Sequence, residues 1–293
     1  MSIAIAASAN DDQTLQRELS QLNDQRLNPT LEKRGFRESL AKETERRILE
    51  HDYLERCRAE VAARAAEAPS DAPGFLAWFQ ELRATGPGQH DPLFEWLETT
   101  ASMEQLRWFL TQEVAGEAGF DDLVALTQLK MATQAKLELA RNYWDEMGRG
   151  METAMHGPML GRLAASLELD HAAEPVYEAR ALGNLLAGLA FNRHYAFHSL
   201  GALGVVELTA PDRSRCVNLG LKRLRVPAGD RQYFALHATV DIKHSLAWNQ
   251  EIIVPLVAER PECAIAFAEG ALMRLRAGER CFRRYRIELG LAA

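Results

Sequence analysis

The sequence predicts an all-α helical bundle, and three observations carry that prediction. Long stretches are rich in Ala, Leu, Glu, Arg and Gln, the residues that lose least in a helix. Apolar positions recur at helical spacing, with few alternating β-branched runs. Pro and Gly are mostly confined to breaks between those stretches. Without strands, Rossmann, TIM-barrel and P-loop folds lose their framework. No repeat of fixed period is visible.

Taken in order, residues 1–30 are polar and read as a frayed segment or an arm, and Phe36–Ala68 as one or two charged helices on the outside of the bundle. The breaks APSDAPG (Ala68–Gly74) and TGPGQHDP (Thr85–Pro92) introduce the main body. The chain thus divides into 1–70, an N-terminal arm with outer helices, and 71–293, the bundle itself. Within the bundle, helices are expected at 75–84, 93–99, 102–116, 118–149, 151–168, 174–208, 212–222, 230–256 and 260–288. The 174–208 helix carries Gly183, Gly188, Gly201 and Gly204, so a bend or a close helix contact is expected there.

The 293 residues, 47% hydrophobic and 26% charged, are typical of a soluble globular protein. A net charge of −7 argues against nucleic-acid binding, which depends on clustered Lys and Arg. The one basic cluster, Arg283, Arg284 and Arg286, reads as the solvated face of a last helix. Cys57, Cys216, Cys263 and Cys281 are scattered without metal-site or disulfide-framework spacing, which suits reduced thiols. No segment has the length of a membrane span, and the first residues lack a signal-peptide pattern. A cytoplasmic protein is expected.

The chemistry is concentrated in Arg231–Leu256, RQYFALHATVDIKHSLAWNQEIIVPL, where His237, Asp241 and His244 stand at i, i+4 and i+7. On a helix the three share one stripe. Left unpartnered in a core, each polar group would cost roughly 1–3 kcal/mol. Metal ligation offsets that cost, and a hydrogen-bonded ladder on a wet face is the plainer alternative.

Four more positions match the trio. Glu207 ends the apolar stripe of HSLGALGVVELTAP, whereas His194 and His198 lie on the far side of that helix and are assigned to packing or surface hydrogen bonds. In LELARNYWDEMGRGMETAMHG, Glu146 precedes His156 by ten residues, and a bend at Gly148 and Gly150 would let both converge; Asp145 competes with Glu146. In MEQLRWFLTQEVAGEAGFDDLVAL, Glu113 interrupts an apolar face, with Glu117 one turn on as its substitute. Four carboxylates and three imidazoles would balance two divalent cations. A thiolate-free donor set suits iron or manganese doing redox chemistry.

HATVDIKH (His237–His244), WDEMGRGMETAMH (Trp144–His156) and GALGVVELTAP (Gly201–Pro211) resemble the signature regions of the haem-oxygenase-like di-metal oxidases, a family of iron-containing redox enzymes. The resemblance covers roughly residues 75–290. It implies a haem-oxygenase-like seven-helix bundle with extra N-terminal helices, holding two non-haem iron ions, with manganese as an alternative and dioxygen as co-substrate. Carried over by position, Glu146, His156 and His244 would bind one iron, and Glu113, Glu207, His237 and Asp241 the second. The expected partner is a small organic substrate such as an amine, amino acid or aliphatic acid, with no nucleic acid and no membrane; a homodimer is a permitted assembly. Phe109, Tyr143, Trp144 and Trp248 are candidates to face the substrate. Two other functions compete: a metal-free helical binding protein, and an enzyme similar to thiaminases or pyrroloquinoline-quinone synthases. The latter would need a Cys beside carboxylates, and none of the four is expected near the donor stripes.

Overall fold

The apolar run AFHSLGALGVVELTAP extends into a 28-residue helix against which six other described helices pack, and its position decides where the donors meet. The computed structural model describes residues 2–29, 31, 35–116, 119–170 and 173–291. In chain order the helices are α1 (Ser2–Leu27), α2 (Phe36–Ala65), α3 (Ala72–Thr85), α4 (Pro92–Thr99), α5 (Met103–Gly116), α6 (Phe120–Thr127), α7 (Thr133–Glu146), α8 (His156–Ser166), α9 (Tyr177–Phe191), α10 (Ala196–Arg223), α11 (Gln232–Trp248), α12 (Val254–Glu259) and α13 (Ala264–Glu288). Among the described residues there is no strand, and the fold is all-α as the sequence predicts. No described helix is long and apolar enough to cross a membrane.

Local chemistry sets the starts of α3 and α4. Asp71 Oδ1 accepts from the Gly74 amide at 2.9 Å and Asp91 Oδ1 from the Leu93 amide at 3.0 Å, each just ahead of a proline in the first turn. Helices α10 and α13 cross at two glycines. A Cβ on Gly201 would lie 2.0 Å from the Phe267 carbonyl oxygen, and one on Gly270 1.9 Å from that of His198, so only glycine permits this approach. Phe267, Trp248 and Leu200 fill the space around the crossing.

Several expected boundaries move. The helix expected at 118–149 is two, α6 and α7, separated at 128–132, where Lys130 has φ 58°. The one expected at 151–168 starts only at His156. The 174–208 helix divides at Asn192, which is extended, and not at a glycine. That division puts the Arg193 guanidinium on the Leu126 and Thr127 carbonyls at 3.1 Å, where it caps α6. Helix α10 then runs straight through the break expected after Glu207, with Pro211 inside it. The helix expected at 230–256 passes through a π turn at Asn249–Ile253 before α12.

The first residues are helical and docked. Asn184 of α9 accepts from Asn23 Nδ2 at 2.9 Å and donates to the Gln16 carbonyl and side chain at 2.8 Å, while Arg26 forms a buried ion pair with Glu50 of α2 at 2.5 Å. Tyr53 of α2 donates to the Ala181 carbonyl at 2.9 Å. Leu19, Tyr53 and Leu54 belong to the same apolar core as α9 and α13.

Candidate metal centre

The last turn of α7, the first residue of α8, the middle of α10 and one stripe of α11 bring Glu146, His156, Glu207, His237, Asp241 and His244 together, and Glu146, Glu207, His237 and Asp241 of these line one cavity. A tight turn places His156. Gly148 takes φ +60°, and a Cβ there would sit 2.4 Å from the Ala154 carbonyl carbon, so the chain can fold back from α7 to α8 only with glycine at this position. The bend expected at Gly148 and Gly150 is therefore a reversal, with Arg149 also left-handed at φ 54°. On α10, Pro211 has no N–H to give the carbonyl four residues earlier, which is that of Glu207. The donor thus lies at a gap in the helical ladder.

The donors form two groups that share Glu146: Glu146, His156 and His237, and Glu146, Glu207 and His244, with ligand atoms in each group within 4.8 Å of one another. His156 Nδ1 is 2.6 Å from Glu146 Oε2 and His244 Nδ1 is 3.5 Å from Glu207 Oε2, yet neither buried nitrogen has hydrogen-bond geometry. Buried donor atoms this close, with no hydrogen bond between them, suit a cation, which would displace the His244 proton and take up both carboxylate and imidazole. The chemistry of the donor set fits a carboxylate-rich iron site.

Neighbouring groups fix the orientation of each ring. His237 Nδ1 donates to the Tyr233 carbonyl at 2.7 Å; a carbonyl can only accept, so in the neutral ring Nε2 carries the lone pair. The His237 ring stands edge-on to His156 with centroids 4.6 Å apart. His244 Nε2 meets Asp145 Oδ2 at 3.3 Å, leaving Nδ1 toward Glu207, with Asp241 Oδ1 3.9 Å away. Asn142 Nδ2 donates to Glu207 Oε1 at 2.7 Å.

Electrostatics follow burial. Burial, joined by Glu207's charge, pushes the Glu146 carboxyl well up. Burial lowers His156 and His237 to about 4, so both are neutral imidazoles at pH 7. For His244 burial acts downward, but the Glu207 carboxylate and Asp145 outweigh it and raise the ring to about 9. Burial would likewise lift Asp145, and the bonds from Arg149 and His244 hold it low instead.

Against the carried-over expectation, the structure groups His237 with His156, and Glu207 with His244. The register of α11 explains the exchange, since His237 and His244 are seven residues and thus about 10 Å apart along the axis, opposite different donors. Glu146 takes a buried place beside His156, and Asp145 the rim beside Arg149. Glu113 joins neither group. It faces the same cavity beside Arg213, Arg274 and Tyr285, and burial raises its carboxyl against the pull of the two arginines. Glu117 lies outside the described residues. His194 is exposed and His198 donates or accepts at Glu269 Oε2 over 2.9 Å, away from the donors as expected.

Three residues escaped the sequence reading. Asn142 stands one helical turn before Glu146 in ARNYWDE, a signal readable in retrospect as a second polar residue on a buried stripe. Asp121 lies near enough to raise both Glu146 and His156. Cys281, expected far from the donor stripes, is close to Glu113; burial, reinforced by that carboxylate, pushes its thiol up to about 12, which keeps it protonated and a poor nucleophile. The expected substrate-facing aromatics do not line the cavity. Phe109 is core, Trp144 is 53% exposed, and Trp248 donates to the Leu200 carbonyl at 3.2 Å. The aromatic side chains of the cavity lining are instead Phe94, Phe120, Tyr233, Phe234 and Phe282.

Comparison with known proteins agrees with this reading of the fold. Residues 107–279 match a family model described as iron-containing redox enzyme. A CADD-like protein of unknown function from Nostoc punctiforme superposes with a TM-score of 0.55 at 17% identity, covering 80% of this chain and 98% of that one. A domain of unknown function with a haem oxygenase-like fold from Shewanella denitrificans gives 0.54 at 15% identity, covering 73% of this chain and 90% of that one. A search of curated proteins gave no match.

Proposed function

Because the chain belongs to the iron-containing redox enzyme family, we propose that it is an O2-activating non-haem di-iron oxidase or oxygenase acting on a small organic substrate. One observation carries the reading: two three-donor groups share a single buried carboxylate, Glu146, and hold two buried imidazole nitrogens, His156 Nδ1 and His244 Nδ1, that make no hydrogen bond. One ion is assigned to Glu146, His156 and His237 and the other to Glu146, Glu207 and His244, with Asp241 as the further carboxylate beside His244.

Iron bound there supplies the redox chemistry with dioxygen. The chain supplies everything else. Neutral His156 and His237 hold lone pairs ready at pH 7. Asp145 and the Tyr233 carbonyl fix the ring faces of His244 and His237, and Asn142 holds Glu207 by one oxygen, leaving the other for the metal. Apolar walls from Phe94, Leu160, Leu186 and Phe282 keep bulk water from the reacting space.

Anaerobic titration with Fe(II), followed by metal analysis and oxygen uptake, tests the assignment. Two irons per chain and oxygen-dependent absorbance are expected for the wild type. His244→Ala and Glu207→Ala should lose tight iron binding while retaining the helical circular dichroism signal. Wild-type protein that takes up no iron under these conditions would overturn the proposal.

A further inference from the structure

Four of the eight methionines, Met147, Met151, Met155 and Met159, fall at intervals of four residues through the α7–α8 reversal. Three of them are its pivots. The Met147 carbonyl accepts from the Gly150 amide at 3.1 Å, that of Met151 from the Ala154 amide at 2.8 Å and that of Met155 from the Met159 amide at 3.0 Å. Met147 directly follows Glu146 and Met155 directly precedes His156, so two metal donors are each one peptide bond from a methionine.

Exposure separates this group from the other described sulfurs. Met151 is 61% exposed and Met147 and Met155 are half-buried, whereas Met159 and Met273 are buried and Met103 and Met131 pack against the apolar core. The four cysteines are buried free thiols, and burial raises each of them further above neutrality, which keeps the reactive thiolate scarce. A thioether has no proton to lose, so its reaction with a water-borne oxidant depends on access to the sulfur.

We propose that the methionines of the α7–α8 reversal are an oxidation site through which hydrogen peroxide opens the reversal and unseats its metal donors, Met151 reacting first and Met147 and Met155 acting as the switch. At each, the thioether sulfur donates an electron pair to one peroxide oxygen. The S–O bond forms as the O–O bond breaks, and the departing hydroxide gains a proton and leaves as water. Sulfur is oxidised by two electrons, peroxide is reduced by two, and the product is methionine sulfoxide. The sulfoxide is polar and favours water. At Met151, already exposed, that changes little. At Met147 and Met155 it draws out the two ends of a turn closed by backbone contact, where a Cβ on Gly148 would lie 2.5 Å from the Met155 nitrogen, and so it moves Glu146 and His156 apart. The consequence for iron rests on the oxidase reading; the oxidation and the opening do not.

The test treats full-length, metal-free protein with limiting hydrogen peroxide, removes the excess with catalase, and maps added oxygen by peptide mass spectrometry beside hydrogen exchange of residues 144–160. Oxygen should appear first on Met151 with exchange unchanged, then on Met147 and Met155 with loss of protection. Methionine sulfoxide reductases A and B should restore that protection. Met147→Leu/Met155→Leu, a nearly volume-conserving pair, should keep it at the same dose, and Met151→Leu should lose it at a lower one. If the double variant fails to fold, recovery by the reductases in the wild type decides. The proposal is overturned if Met159 or Met273 is oxidised ahead of Met147 and Met155, if protection survives their oxidation, or if the double variant loses it equally. Fe(II) loading of the oxidised protein reads the consequence: iron per chain should fall below that of untreated wild type and return after reductase treatment. Untreated wild type that binds no iron counts against the oxidase reading alone, since exchange reports the opening without metal.

Discussion

Asn142 shows how much a residue outside the donor set can matter. Its amide holds one oxygen of Glu207 at 2.7 Å. Asn142→Ala should lower iron affinity by about 10–100-fold, the usual cost of losing a group that orients a ligand, without changing the stoichiometry at saturating iron. A competition titration with a chelator measures it. Glu269 makes a different kind of prediction, away from the centre. It accepts from Arg58 at 2.8 Å and bonds His198 at 2.9 Å, and although burial acts upward those partners hold its carboxyl below the ordinary 4.5. A carboxyl depressed in the folded state stabilises above its unfolded value and loses that contribution as pH falls through the folded one. Glu269→Gln should therefore destabilise by about 2 kcal/mol near pH 7. The gap to wild type should close as pH drops below about 4.5 in urea melts, since protonation then removes the same charge.

At the scale of elements, the α7–α8 reversal is the most exacting feature. Gly148→Ala would demand a left-handed alanine and push its Cβ into the Ala154 backbone, a strain of about 1–3 kcal/mol or more. The expected outcome is loss of the ion held with His156 while the helical content is retained, read by iron per chain and circular dichroism. This reversal was legible in WDEMGRGMETAMH as a bend because two glycines flank the gap. Its sharpness was not, because nothing in the local sequence reports that Ala154 and Met155 fold back over Gly148. Likewise, the helical pattern over 118–149 and 174–208 is continuous, and the breaks come from tertiary partners: Arg193 leaves the helical path to cap α6. The stripe of His237, Asp241 and His244 needed no tertiary information, since period alone puts them on one face. Which donors group together did need it, and so did Glu113, whose inward face was readable while its partners Arg213 and Arg274 come from helices a hundred residues or more away.

For the molecule as a whole, α10 is at once the centre of the apolar core and the carrier of Glu207 and Arg213. Core and chemistry therefore share one piece of backbone, and the glycine crossing with α13 locks it from the opposite side. A cluster of buried acids and imidazoles on that backbone works against folding when no cation is present. Mass action reverses the sign. A metal that binds only the folded chain adds RT ln(1 + [L]/Kd), about 2.7 kcal/mol at a hundredfold excess over the dissociation constant. Calorimetric melting temperature should then climb with the logarithm of free Fe(II) under anaerobic conditions, and His244→Ala should flatten that climb while raising little or nothing in the metal-free melt. Iron supply would in this way set the lifetime of the protein in the cell as well as its turnover, because the fraction of unfolded chain offered to proteases falls as the ions bind.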